Sequence, residues 1–133
     1  MPEKLKILIA EDEEVTRQLF QIAFRDGELF ETRLATDGED ALAAFKAWQP
    51  DILLMDIMMP HMNGFTALKT IRQTLKDTAT TVIMVSSVAD KQDIMACLKL
   101  GIQGYVLKPF QVKTLAETVV GYHRQHKKVK KLS

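Results

Sequence analysis

The chain of 133 residues contains one cysteine, four prolines and six glycines. The lone Cys97 can make no disulfide within the chain. A disulfide-stapled secreted scaffold is therefore excluded, and a reducing, cytoplasmic setting is expected. No apolar run approaches the roughly 20 residues needed to span a membrane. The opening Met-Pro-Glu-Lys-Leu-Lys leads into a short strand-like run and lacks the apolar stretch and cleavage site of a signal peptide. Neither G-x-G-x-x-G nor a P-loop occurs, so nucleotide binding has little support. Internal repeats and low-complexity segments are absent. His61, His123 and His126 stand at no useful ligand spacing. Met55, Met58, Met59 and Met62 read as core and loop packing rather than a metal-binding cluster, and Cys97 as a structural thiol within a helix.

What remains is an ordinary globular composition, 47% hydrophobic and 26% charged. The length suits one domain with a single core. The net charge of +1 conceals an asymmetry: residues 1–122 hold 13 basic and 17 acidic side chains, whereas residues 123–133 hold five basic and no acidic ones. A basic tail can bind nucleic acid or anionic lipid. It also suits a solvated helix end, where the dipole favours cations, and no aromatic side chain accompanies the lysines as a stacking partner. The expected division is a domain over 1–126 and a basic tail, or the start of a linker, over 127–133.

Apolar runs alternate with helical periodicity almost throughout. Strands are expected at Lys4–Ala10, Phe30–Thr36, Asp51–Asp56, Thr80–Ser86 and Gly104–Lys108. Helices are expected from Glu13 to about Arg25, Glu39–Trp48, Phe65–Lys76, Asp90–Leu100 and Val112 to about Gln125. The first should bury Val15, Leu19, Ile22 and Ala23, with Asp12 as its N-cap. Pro50 stops the second helix and Gly101 closes the fourth. This is an α/β chain of (βα)5 type. Such alternation implies a parallel sheet with right-handed crossovers and helices on both faces.

The downstream ends of these runs carry the chemistry. Glu11 and Asp12 follow the first strand, Asp56 closes the third, Ser86 the fourth and Lys108 the fifth. Doubly wound sheets bind ligands at the carboxyl ends of their strands. Three carboxylates, a hydroxyl and an ammonium would thus converge on one rim. Close carboxylates raise one another's pKa or call in a cation. An oxygen-rich set suits Mg²⁺, and a hydroxyl and a lysine beside such a metal suit a phosphoryl group.

Four blocks, Ile-Leu-Ile-Ala-Glu-Asp-Glu-Glu, Leu-Leu-Met-Asp-Ile-Met-Met-Pro-His-Met-Asn-Gly, Ile-Met-Val-Ser-Ser and Tyr-Val-Leu-Lys-Pro-Phe, resemble the signatures of the response-regulator receiver domain of two-component signalling. The resemblance covers about residues 4–125. It implies a flavodoxin-like five-stranded sheet of order 2-1-3-4-5, a property of the family rather than a product of spacing. It implies that Asp56 accepts a phosphoryl group, with Lys108 and Ser86 assisting. It further implies Mg²⁺ (or Mn²⁺) held by Asp12, Asp56 and the backbone carbonyl of Met58, with Glu11 acting through water. Glu11 stands where the family more often has Asp. The Lys-Pro bond at Lys108-Pro109 is commonly cis in the family.

Ser86 and Tyr105 match the family's switch pair. The implied donor is a histidine kinase or histidine phosphotransfer protein, with small acyl phosphates as substitutes. The implied output face is the fourth helix, fifth strand and fifth helix, roughly Lys91–Leu100 and Gly104–Gln125, controlling a partner or an output domain. Such a module is a signalling phosphoacceptor, not a turnover enzyme. The apolar Met58 and Val88, two residues beyond Asp56 and Ser86, imply a long-lived phosphorylated form, because neither can hydrogen-bond an attacking water. Two other classes fit the residues less well. A haloacid-dehalogenase-type phosphatase needs a second Asp where Met58 stands. A DNA-binding module would have only the basic tail to rely on.

Overall fold

The computed structural model describes residues 3–132. Met1, Pro2 and Ser133, which the expected domain and tail include, lie outside the described residues. Ten elements alternate along the chain: β1 (Leu5–Ala10), α1 (Glu14–Ala23), β2 (Phe30–Ala35), α2 (Gly38–Trp48), β3 (Ile52–Met55), α3 (Gly64–Lys69, continued by a π-helical turn over Thr70–Thr74), β4 (Thr81–Ser86), α4 (Lys91–Leu100), β5 (Gly104–Leu107) and α5 (Val112–Leu132). All strand pairs are parallel, in the order β2-β1-β3-β4-β5. This is the expected doubly wound (βα)5 sheet.

The alternation within strands explains the two-faced core. Leu8, Ala10, Leu53, Met55, Val82 and Met84 point to one face and pack with Leu42 and Phe45 of α2, Leu68 of α3 and Cys97 of α4. Ile7, Ile9, Ile52, Leu54, Ile83 and Val85 point to the other and meet Phe20 of α1 and Leu115 and Val119 of α5. The three central strands are buried on both faces, which is why they read as continuous apolar runs. Each fully buried Leu or Ile contributes about 1.5–3 kcal/mol of transfer free energy.

Four local expectations are corrected. In α1, Val15 and Ile22 are exposed, 70% and 49%, while Phe20 and Phe24 are buried. The helix turns its larger rings to the sheet: Phe24 meets Phe30 edge-on at 5.2 Å between centroids, and Phe20 stacks on Phe110 at 4.9 Å. The larger aromatic area removed from water outweighs the aliphatic stripe. Asp12 does not cap α1. Glu13 is the N-cap and makes no side-chain cap bond, and its amide donates to Glu11 Oε2 at 3.2 Å.

The expected single helix Phe65–Lys76 gives way to the π turn, closed by Leu75 N donating to Thr70 O at 2.9 Å. Within that turn Arg72 reaches inward. Its guanidinium donates to the carbonyls of Gly101, Asp77 and Thr80 at 2.9 Å each and to Gln103 Oε1 at 3.1 Å. The last helix also runs further than its periodicity predicts. Lys127 Nζ donates to Ala79 O at 2.9 Å and Lys130 Nζ to Thr78 Oγ1 at 2.6 Å, and basic residues suit a helix C-terminus.

Candidate functional site at the carboxyl rim of the sheet

The sheet ladder continues one residue past the strand ends and thereby positions the rim. Glu11 N donates to Ala35 O at 2.9 Å, Asp56 N to Ala10 O at 3.1 Å, and Lys108 N to Ser86 O at 3.0 Å. Residues separated by up to 97 positions are thus held together at one end of the sheet. Carboxylate oxygens of Glu11, Asp12 and Asp56 all lie within 4.8 Å of one another, with Glu11 and Asp56 buried and Asp12 exposed. The Lys108 ammonium closes on Glu11 Oε1 and on Asp56 Oδ2, the latter at 2.7 Å. The Lys108–Pro109 bond is cis.

Burial pushes the Glu11 carboxyl above its ordinary pKa, opposed by the Lys108 hydrogen bond and the Glu13 amide. Burial also works against the Lys108 ammonium. Its bonds to Asp56 and Glu11 outweigh that and hold its pKa above the usual value. One ammonium therefore faces three acids. The set is rich in hard oxygen donors, and with Lys108 paired its three carboxylates retain two negative charges, the number a divalent cation such as Mg²⁺ balances.

The loop after Asp56 is folded tightly back on the site. Met58 N donates to Asp56 Oδ1 at 3.2 Å, and Gly64 N to Ile57 O at 2.8 Å. A Cβ on Gly64 would run into the Asp56 carbonyl, so only glycine permits this approach. Asn63 Oδ1 accepts from Thr66 N at 2.8 Å and starts α3. The far side of the loop is fastened to the β2–α2 junction. Gly38 N donates to Met62 O at 2.9 Å, and His61 Nδ1 lies 2.8 Å from Asp37 Oδ2. This latch was not legible in the sequence, because its partners are 24 residues apart and no motif spacing links them.

Ser86 is buried, and its Oγ accepts from Val88 N at 3.2 Å. Tyr105, partly buried, donates its hydroxyl to the Val88 carbonyl at 2.6 Å. Val88 thus stands between the two residues of the expected switch pair. Beside the rim, Glu13, Thr16 and Leu19 of α1 and the Ser87, Lys108, Pro109 and Phe110 segments line a cleft of about 330 Å³. No described helix is long and apolar enough to cross a membrane.

The family model described as Response regulator receiver domain matches residues 7–120. The DNA-binding response regulator MtrA of Mycolicibacterium smegmatis is 33% identical over 114 residues, covering 86% of this chain and 48% of that protein. The chain spans about half or less of the length of the curated relatives it matches. Among solved structures, the receiver domain of the Francisella response regulator 1452 superposes with a TM-score of 0.80 at 28% identity, over 92% of this chain and 98% of that one. A chain of the CheX–CheY–BeF3–Mg²⁺ complex from Borrelia burgdorferi superposes with a TM-score of 0.76 at 32% identity, over 88% of this chain and 87% of that one. On the family match over residues 7–120 and the 33% identity to the MtrA relative, the chain belongs to the response regulator receiver domain family of two-component systems.

Proposed function

We propose that Asp56 accepts a phosphoryl group from a phosphohistidine on a histidine kinase or histidine phosphotransfer protein, and that small acyl phosphates substitute for that donor. The observation that carries this reading is the Lys108 ammonium set between the buried carboxylates of Glu11 and Asp56. A carboxylate oxygen of Asp56 attacks phosphorus, the P–N bond to the donor imidazole breaks, and the imidazole leaves with its electron pair. Lys108 holds a phosphoryl oxygen as a point charge, and the Ser86 hydroxyl donates to another. Asp12, Asp56 and the Met58 carbonyl would hold Mg²⁺ (or Mn²⁺), with Glu11 reaching it through water. That ion supplies charge neutralisation between the acids and the incoming phosphoryl oxygens. The Borrelia complex, which contains Mg²⁺, supports the choice of metal.

Recruitment of Ser86 to the phosphoryl group takes its hydroxyl from the Val88 amide. Val88 then shifts, and its carbonyl releases the Tyr105 hydroxyl, so that the ring can turn inward. The face formed by α4, β5 and α5 is the surface this exchange controls, acting on a partner or an output domain. The chain works in the cytoplasm as a phosphoacceptor and not as a turnover enzyme, with the domain over 1–126 and the basic segment 127–133 as its tail or the start of a linker.

Incubation with Mg²⁺ and acetyl phosphate should add one phosphoryl group by intact mass. Asp56→Asn should add none. An unmodified wild-type mass under conditions that phosphorylate a known receiver would sink the proposal.

A further inference from the structure

At the amino end of the sheet, opposite the acidic rim, a hydroxyl sits between two imidazoles. Thr81 Oγ1, at the head of β4, lies 2.7 Å from His123 Nδ1 and 2.8 Å from His126 Nδ1, both on α5. Thr81 is fully buried, His123 buried and His126 partly buried. A threonine hydroxyl has one proton to donate and two lone pairs. With both imidazoles neutral, one Nδ1–H donates to the oxygen and the hydroxyl donates to the bare Nδ1 of the other ring. One added proton leaves both bonds possible, because the ring that already donates can carry it. A second proton puts an N–H on both rings facing one hydroxyl. The hydroxyl proton then loses its acceptor, and two cations share a buried site.

We propose that Thr81, His123 and His126 form a proton-sensitive clasp that fastens the last turns of α5 to the head of β4 and releases them when both imidazoles are protonated. The clasp does not depend on phosphoryl chemistry. The surrounding charges act in the required direction. Burial comes first in holding both imidazoles below their ordinary pKa. Lys127 then acts on both rings, and Arg72 and Lys130 on His126. Only Asp51, at the entry to β3, favours charge on His123, and its Oδ2 already accepts from Lys6 N at 2.8 Å. The clasped state therefore binds fewer protons than the released one. Its stability is complete above the ordinary imidazole pKa and is lost as pH falls through the depressed values. Each proton taken up on release raises the open fraction by up to about tenfold per pH unit.

The test is amide hydrogen exchange on the whole chain, with imidazole titration by NMR. Protection of residues 124–131 should fall at least about tenfold from about pH 7.5 to about pH 5.5, after correction for intrinsic exchange, while residues 115–120 hold theirs. Thr81→Val should lower the protection of 124–131 at neutral pH and flatten its pH response. His126→Gln, at a partly exposed position, should reduce the dependence from two protons to one, and it carries the test by itself if the valine variant does not fold. Ordinary titration of both imidazoles with pH-independent protection would overturn the proposal, as would a two-proton response surviving in His126→Gln.

Discussion

Side chains at the rim differ in how much company they have. His61 is 70% exposed at its side chain, yet the Asp37 carboxylate accepts its hydrogen bond and raises its pKa from 6.5. Asp37 is itself held low, chiefly by the Asp40 amide and then by His61. The charged pair is complete below the ordinary imidazole value and is lost as pH rises through the raised one. NMR titration should therefore find His61 half-protonated above pH 6.5, and Asp37→Asn should bring it down. Being on the surface, the pair orders the loop more than it stabilises the fold. Met58 and Val88 bear on lifetime. If the phosphoryl group forms on Asp56 as proposed, polar replacements at both positions should shorten its half-time in Mg²⁺ about tenfold or more, read by loss of the phosphorylated mass, since a side chain positioned to exchange a proton with the attacking water contributes typically 10²–10⁴-fold. Equal half-times would remove these two side chains from the account.

Among the elements, the π turn after α3 ties several others together through one side chain. Arg72 joins that turn to the α4 C-terminus at Gly101, to the approach to β4 at Asp77 and Thr80, and to Gln103 before β5. Desolvation lowers its pKa, with Asp77 opposing, and the guanidinium stays charged. Arg72→Met should cost about 3 kcal/mol, because several partly buried acceptors would lose a charged donor. Urea unfolding would show this as a lower midpoint, and an unchanged midpoint would mean that water replaces the guanidinium. Ile71 and Arg72 are adjacent and compete for the inward position of a regular helix. An α-helical wheel must choose one, and the wider π turn admits both, with Ile71 fully buried and Arg72 bonded inward. The inward face of α1 was misjudged for a related reason. Periodicity ranks Val15 and Ile22 with Leu19, while the partner across the gap is the Phe110 ring, which Phe20 matches.

Seen as one molecule, the chain has two working ends joined by a buried sheet. The carboxyl end gathers acids around a single ammonium, and the amino end holds the clasp on α5. A cation that binds the native rim and not the unfolded chain stabilises the whole domain. With Mg²⁺ at about 100 times its Kd the gain should be about 2.7 kcal/mol, visible as a higher melting temperature. Asp12→Asn should abolish most of that shift, and a full shift in this variant would remove Asp12 from the metal site. The alternation of elements, the sheet type and the residues at each strand end were legible in the sequence. They rest on hydrophobic period and on which residue follows an apolar run, and both are local properties. The tertiary structure alone decided that α1 presents its rings, that Arg72 turns inward, that His61 finds Asp37, and that Thr81 lies between His123 and His126. Those outcomes depend on which surfaces meet across the folded chain, over separations from 24 residues between Asp37 and His61 to 90 between Phe20 and Phe110, and no local pattern encodes such distances.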